Sequence, residues 1–396
     1  MIGESPNAFK LKQRATMSST VEEIIEMERV SADPTPEPLP KPRRHRRPKA
    51  VRLHDVAKAA GVSVATVSMV VNSNPRISPA TRKRVQRFIE QLGYLPNRAA
   101  QILSGARQPS LAVLLPAQRH TFADVYFGEL ISGIADAAAR HGQAIVFERA
   151  TPEFVRSKKH ITMLETKAAD GMLILGFNDM HRFLDDFAGT KANVIAVDSK
   201  LARDGTMDVV GCDYRSGAQQ AMNYLLQLGH RKIALITATG GGRCTRDVVD
   251  VYRAAMSTYG VKPADGWFAD GRLTEEGGDE AAAQILGNYP EITALFAVND
   301  KMAIGALHYA TRKNLAVPRD LSIVGFDNLR HAAFMNPSLS TVHLPLHEVG
   351  ARACERLIER INGRSEPTDD RLPTHLVVRN STGLARDLGP LADSAA

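Results

Sequence analysis

The chain has 396 residues, 44% of them hydrophobic and 23% charged, with a formal net charge of +7. That is the composition of an ordinary soluble globular protein, with length for two or three domains. No run approaches the roughly 20 apolar residues of a membrane span, and the N-terminus has no apolar core of a signal peptide. Cys212, Cys244 and Cys354 are scattered, without a CxxC pair or a histidine at ligand spacing. A disulfide framework, a structural zinc and a cofactor are therefore not expected, and the expected location is cytoplasmic.

Residues 1–50 are poor in aromatics and end in a Pro- and Arg-rich run, which reads as a disordered tail. Within it VEEIIEMERV has helical spacing, too short to stand alone. Positive charge is concentrated just downstream. Residues 41–50 (KPRRHRRPKA) hold six Lys and Arg and no acid, and residues 51–108 hold nine against Asp55 and Glu90. A slightly acidic bulk follows. Such asymmetry points one end of the molecule at a polyanion.

Residues 51–96 read as three short helices. In LHDVAKAAG the apolar positions Leu53, Val56, Ala57 and Ala60 make one helix face, ended by Gly61. Ser63 is placed to cap a second helix that turns Val67, Val70 and Val71 inward. Ser78-Pro79 opens a third, with Val85, Phe88, Ile89 and Leu92 as its expected buried stripe. Tyr94-Leu95-Pro96 closes the module. The helix–Gly turn–helix spacing sets one helix across a phosphate backbone and the next into a major groove. On the second helix Val64, Ala65, Thr66, Ser68, Met69 and Asn72 fall on the side not used for the core. Short side chains there permit close approach, hydroxyls and amides reach bases or phosphates, and Ala65 and Met69 suit thymine methyls. Arg82, Lys83, Arg84 and Arg87 on the third helix read equally as a solvated face.

From Ser110 the pattern alternates strand and helix. LAVLLP, AIVF, GMLILG, VIAVD, KIALIT, ALFAVND and LSIVGFD are expected to be fully buried parallel strands. Helical segments such as YFGELISGIADAAARHG and SGAQQAMNYLLQLG separate them. Asn, Asp, Gly or Pro follow most of the strands, as suits loops that face a ligand at the carboxyl end of a parallel sheet. There are more βα units than one six-stranded sheet takes, so two lobes are expected.

The stretches DVAKAAGVSVATVS, YLPNRAAQILSG, YFGELISGI, LGHRKIALI, AVNDKMAIGAL, VPRDLSIVGFDN and LSTVHLP, in that order, resemble the lactose-repressor (LacI/GalR-type) family over about residues 51–380. The resemblance implies an all-α helix-turn-helix headpiece plus an α/β two-lobed periplasmic-binding-protein-like domain with parallel sheets. The expected division is a tail at 1–50, the DNA-binding domain at 51–96, a hinge helix and linker at 97–108, a ligand-sensing and dimerising domain at 109–385, and a tail at 386–396. It implies a sequence-specific regulator, expected to repress, that binds a near-palindromic double-stranded operator as a homodimer. A small-molecule effector, a sugar, sugar acid or related metabolite, would modulate it from the interlobe cleft.

Residue by residue, Val64, Ala65 and Met69 fall where relatives read operator bases, and many relatives carry arginine at the position of Met69. Asn97 and Arg98 match the start of the hinge helix, and Leu103 matches a leucine that wedges into the minor groove. Tyr126 and Phe127 match positions that stack on or shield the effector, and Asp327 matches an acid that accepts its hydrogen bonds. Asn299 and Asp300 sit at a strand end near the cleft, where capping the next helix is the competing role. Asp198 and Asp213 are weaker candidates of the same kind. One departure stands out. Relatives carry an effector-gripping arginine ahead of a glycine–aromatic pair, where this chain has Val248 and Val251, leaving Arg246 or Arg243 as substitutes.

Two other classes compete. A nucleotide-dependent enzyme would use TGGGR at 239–243, yet no GxGxxG or GxxxxGK[ST] is present, and no catalytic spacing stands out. A periplasmic-type ligand-binding protein would need a signal sequence and would carry no headpiece. The reading is therefore a non-enzymatic DNA-binding regulator.

Overall fold

The structure, a computed structural model, describes residues 51–71, 74–94, 109–117, 121–177, 182–187, 190, 192–197, 207–239, 242–364 and 366–386. The expected tail at 1–50, the hinge at 97–108 and the C-terminal tail after Arg386 lie outside the described residues, as do Asn72, Asn97, Arg98, Leu103 and Asp198. The chain divides into two compact units, one ending at Ala106 and one starting at Arg107, and each is described by itself.

The first unit holds three helices: α1 (Leu53–Ala60), α2 (Val64–Val71) and α3 (Pro79–Leu92). Asp55 accepts the Arg52 N–H at 2.8 Å, which closes the start of α1. Gly61 ends it at φ 61°, a left-handed conformation that glycine adopts without a Cβ clash. The Ser63 hydroxyl accepts the Thr66 N–H at 3.0 Å and caps α2 as expected. Ser78 accepts the Thr81 N–H at 3.3 Å and Pro79 takes the first helical position of α3. Val56, Ala57, Ala60, Val67, Val70, Val85 and Tyr94 form the core. The stripe expected on α3 is narrower than its spacing implied. Val85 is buried and Phe88 and Ile89 only partly, while Leu92 is 38% exposed. With two short partners, α3 has no surface left to cover its last turn.

The second unit has two lobes, each a six-stranded sheet. In the first lobe the order is β11-β5-β4-β3-β1-β2, all parallel. The strands are β1 (Ser110–Pro116), β2 (Ala144–Ala150), β3 (Gly171–Leu175), β4 (Val194–Val197), β5 (Asp208–Cys212) and β11 (Asp369–Leu372). The second lobe runs β12-β10-β9-β8-β6-β7, parallel except where β12 meets β10. Its strands are β6 (Ile233–Thr237), β7 (Phe268–Asp270), β8 (Ala294–Ala297), β9 (Ser322–Asp327), β10 (Ser340–His343) and β12 (His375–Val377).

Helices cover both sheets. α4 (Val125–Arg140) and α11 (Leu346–Ile361) pack on the first lobe, with α5 (Pro152–Arg156) and α6 (Lys159–Glu165) beside β2 and each other. α7 (Tyr214–Gln227), α8 (Gly242–Thr258), α9 (Glu275–Asn288) and α10 (Asp300–Arg312) belong to the second. The α4–α11 contact is close enough to require glycine. A Cβ on Gly133 would strike the His347 carbonyl oxygen, and one on Gly350 the Leu130 carbonyl oxygen.

All seven apolar runs form strands, but AIVF is a correction. β2 pairs only with β1, at the edge of its sheet, and Val146 and Phe147 are 37% and 41% exposed. An edge strand lacks a neighbour on one side, so a continuous apolar run there is not evidence of full burial. Strands β5, β7, β10, β11 and β12 have weaker patterns; β11, with sequence DDRL, carries three charges.

The chain crosses between lobes three times: from β5 into α7, from β10 into α11, and from β11 into β12. The crossings are tied to one another. The Asp213 N–H donates to the Leu372 carbonyl at 2.9 Å, and the Thr374 hydroxyl donates to the Asp213 carbonyl at 2.8 Å. The His343 and His375 rings lie 4.8 Å apart.

Candidate DNA interface and interlobe site

In the helical unit the core takes one side of α2 and leaves the other to solvent. Val64 and Met69 are 42% and 37% exposed, Ala65 is exposed, and Thr66 and Ser68 are half-buried. Together with Ala65 they give α2 an uncharged, largely apolar outward face. On α3, Lys83, Arg84 and Arg87 are exposed, and Arg82 donates to the Asn74 carbonyl at 2.7 Å. A short helix with an uncharged, close-approach face beside a cationic helix matches what base edges flanked by phosphates require.

In the α/β unit the candidate residues gather at the carboxyl ends of parallel strands. After β8, the Asn299 side-chain oxygen accepts the Met302 N–H at 2.9 Å and caps α10, the competing role weighed above. Asp300 follows, with no exposed surface; it accepts from the Leu329 N–H at 2.7 Å and from the Thr341 hydroxyl at 2.5 Å. Asp327, last in β9, is 7% exposed and its carboxylate receives the Asp300 N–H at 3.5 Å. Burial pushes the Asp300 carboxyl up to about 6, and burial together with the neighbouring Asp300 raises Asp327 well above the usual carboxylate range. Two buried carboxyls this near each other disfavour being ionised together.

Opposite them, the Asp124 side chain accepts the Tyr126 N–H at 3.0 Å and caps α4. Its other oxygen receives the Lys301 ammonium at 2.7 Å, which joins the start of α4 in the first lobe to the start of α10 in the second. Tyr126 is half-buried and stands edge-on to Phe127, ring centroids 5.4 Å apart. Phe127 is 9% exposed and belongs to the core, its ring filling the space beside Gly176.

The remaining candidates are dispersed. Asp213 caps α7 by accepting the Ser216 N–H at 3.1 Å. Arg246 is exposed on α8. Arg243 pairs with Asp247 at 3.2 Å on its own helix. Val248 has no exposed surface and lies in the hydrophobic core, with Val251 and Tyr252 beside it. Position 248 therefore offers packing and no charge to a ligand.

Sequence reasoning missed Asp124, Lys301 and the buried role of Asp300. Asp124 and Lys301 lie 177 residues apart, with no local pattern that marks them as partners. Beside them Asn328 donates to His343 at 3.2 Å and accepts from Arg379 at 2.7 Å. Burial, and secondarily the His375 charge, lowers the His343 pKa. Among the described residues no cluster of three or more metal-ligating side chains occurs, and no helix is long and apolar enough to cross a membrane.

Comparison with known proteins agrees with this arrangement. Residues 52–97 match the family described as bacterial regulatory proteins, lacI family, and residues 222–382 match a periplasmic binding protein-like domain. Catabolite control protein A of Priestia megaterium is 31% identical over 84% of this chain and 99% of its own length. The HTH-type transcriptional repressor CytR of Escherichia coli K12 is 32% identical over 84% of this chain and 96% of its own. Among solved structures, the Lac repressor dimer bound to operator and the anti-inducer ONPF superposes with a TM-score of 0.74 at 26% identity, over 85% of this chain and all of that one. The chain belongs to the lacI family of bacterial regulatory proteins, and is a transcriptional regulator with a helix-turn-helix DNA-binding headpiece and an effector-binding α/β domain.

Proposed function

We propose that this regulator acts in the cytoplasm as a homodimer that reads a near-palindromic operator and represses transcription, and that a small effector in the interlobe cleft changes its grip on DNA. Two copies about a two-fold axis present two reading helices to two half-sites, so the site mirrors the symmetry of the protein. A self-pairing surface has support in the exposed apolar edge at β2. There Phe122, 57% exposed, stacks edge-on against Phe147 at 5.6 Å, next to Val146. Phe334, 78% exposed, offers a second apolar point on the other lobe. Residues 51–96 form the DNA-binding domain, 97–108 the hinge and 109–385 the sensing and dimerising domain, with tails at 1–50 and 386–396.

Val64, Ala65 and Met69 read bases, and Thr66, Ser68 and Asn72 bond bases or phosphates. Asn97, Arg98 and Leu103 carry the hinge, with Leu103 in the minor groove. In the cleft Tyr126 and Asp327 meet the effector directly. Asn299 lies beside Asp300 at the same strand end, Asp198, Asp213 and Arg246 are the outlying candidates for the effector, and Phe127 supports Tyr126 from the core. With Val248 in place of an arginine, the effector is gripped through acceptors and hydroxyl pairs instead of a fixed guanidinium on α8. Effector and operator are linked through the lobes, because a ligand that prefers the weak-DNA arrangement releases DNA.

The observation that carries this reading is the exposed Val64–Ala65–Met69 face on a capped second helix. Selection of bound duplexes from a random pool by the full-length chain is expected to return a two-fold symmetric site. Met69→Arg is expected to change the preferred base at one symmetric position in each half-site, toward guanine. A pool that stays unenriched sinks the operator reading, and an unchanged preference removes Met69 from the readers.

A further inference from the structure

We propose that the Asp124–Lys301 ion pair is a latch between the lobes of the sensing domain, holding them in the arrangement seen here. Asp124 belongs to the first lobe and Lys301 to the second, and their side chains meet at 2.7 Å with 23% and 25% exposure. A pair so far withdrawn from water is screened less than a surface pair. Asp124 is also held before Lys301 arrives. One carboxylate oxygen caps α4 through the Tyr126 N–H, so the other is presented with little rotamer entropy left to lose.

Lys301 gains nothing from its own helix. It sits in the first turn of α10, where the positive end of the helix dipole opposes a cation. Its direct ion-pair partner lies across the cleft. Asp327 feels both partners, Lys301 lowering its pKa and Asp124 raising it, so the pair stands beside the Asp300–Asp327 carboxyls at the carboxyl end of β9. The other described charge contact between the lobes, Arg243 with Asp369, is longer at 3.6 Å, and its acid is 54% exposed. Arg243 is already engaged by Asp247.

A ligand entering between Tyr126 and Asp327 meets the latch at once, a consequence that rests on the effector reading above. A hydroxyl or anionic oxygen that takes the Lys301 ammonium releases Asp124, so binding exchanges an interlobe contact for a ligand contact. The latch itself requires neither effector nor DNA, and its test uses neither.

Hydrogen–deuterium exchange on the full-length chain would compare the wild type with Lys301→Met, Asp124→Asn and the double variant. Asparagine keeps an oxygen to cap α4, and methionine keeps the helix propensity of α10. Each single variant is expected to speed exchange about three- to tenfold at the crossings near residues 212–214, 343–346 and 372–375. Protection in β8 is expected to persist, and the double variant to exchange no faster than either single one, since both remove the same bond. Unchanged exchange at the crossings, additive effects in the double variant, or faster exchange throughout both sheets would each overturn the latch.

Discussion

Among the described residues seven buried side chains form the headpiece core, whereas the sensing domain buries continuous strands in both sheets and closes helices onto each other through glycine. The headpiece carries its candidate reading residues on the outside of one helix, close together in sequence on either side of the core residue Val67. The sensing domain assembles its candidate site from segments that the chain reaches at residues 124, 300 and 327, each fixed by an internal hydrogen bond. A small core leaves little for a surface helix to do except meet a partner. A large one can enclose charges such as Asp300, at a cost that the surrounding packing offsets.

The sharpest way to separate the two regions is to overpack the larger one. Gly350→Val places a side chain against the Leu130 carbonyl on α4, where the helices have no room to part without lifting α11 from its sheet. The expected cost is roughly 3 kcal/mol or more, read as a lowered sensing-domain transition in calorimetry with the headpiece transition in place. A variant that melts like the wild type would show that the α4–α11 contact yields. The converse experiment is Val56→Ala, which opens a void in the headpiece core at about 2 kcal/mol. That is a large part of the stability of so small a unit. Retention on duplex DNA is expected to fall while the sensing-domain transition stays. Should both transitions drop together, the two regions do not fold as separate units.

The contrast also sets what could be read from sequence. α1, α2 and α3, the roles of Ser63, Ser78 and Gly61, and the outward face of α2 follow from spacing over a few residues, because caps and helix faces are local. The strands of the two lobes are legible as apolar runs except where the signal is tertiary. β11 is a strand because β5 offers it a free edge, and its DDRL sequence favours no strand on its own. The site divides the same way. Asp327 and Tyr126 enter as candidates through resemblance, and Asn299 and Asp300 as residues at a strand end. The partnership of Asp124 with Lys301, and the burial of Asp300 beside Asp327, arise only when distant strand ends converge.

That convergence gives the sensing domain a pH dependence with a definite sign. A carboxyl whose pKa is raised by folding binds its proton more tightly in the native state, so stability falls as pH rises from its unfolded value to its folded one. For Asp300 the window runs from about 4 to about 6, and Asp327 extends it upward. Other acids act in the opposite sense. His160 beside Asp186, the backbone and side-chain donors of Thr239 and Arg272 beside Asp270, and Arg356 beside Asp370 hold these carboxyls below their ordinary value, so their contribution is lost as pH falls through the acid range. The sensing-domain melting temperature is therefore expected to rise from strongly acidic pH toward about 4 and to decline from there past 6. Asp300→Asn is expected to flatten only the declining limb by a few degrees, because asparagine keeps an acceptor for the Leu329 N–H but has no proton to lose. An Asp300→Asn protein whose melting temperature still declines as steeply between pH 4 and 6 would remove this pair as the source, and with it the view that the strand ends of the sensing domain store charge at the expense of stability.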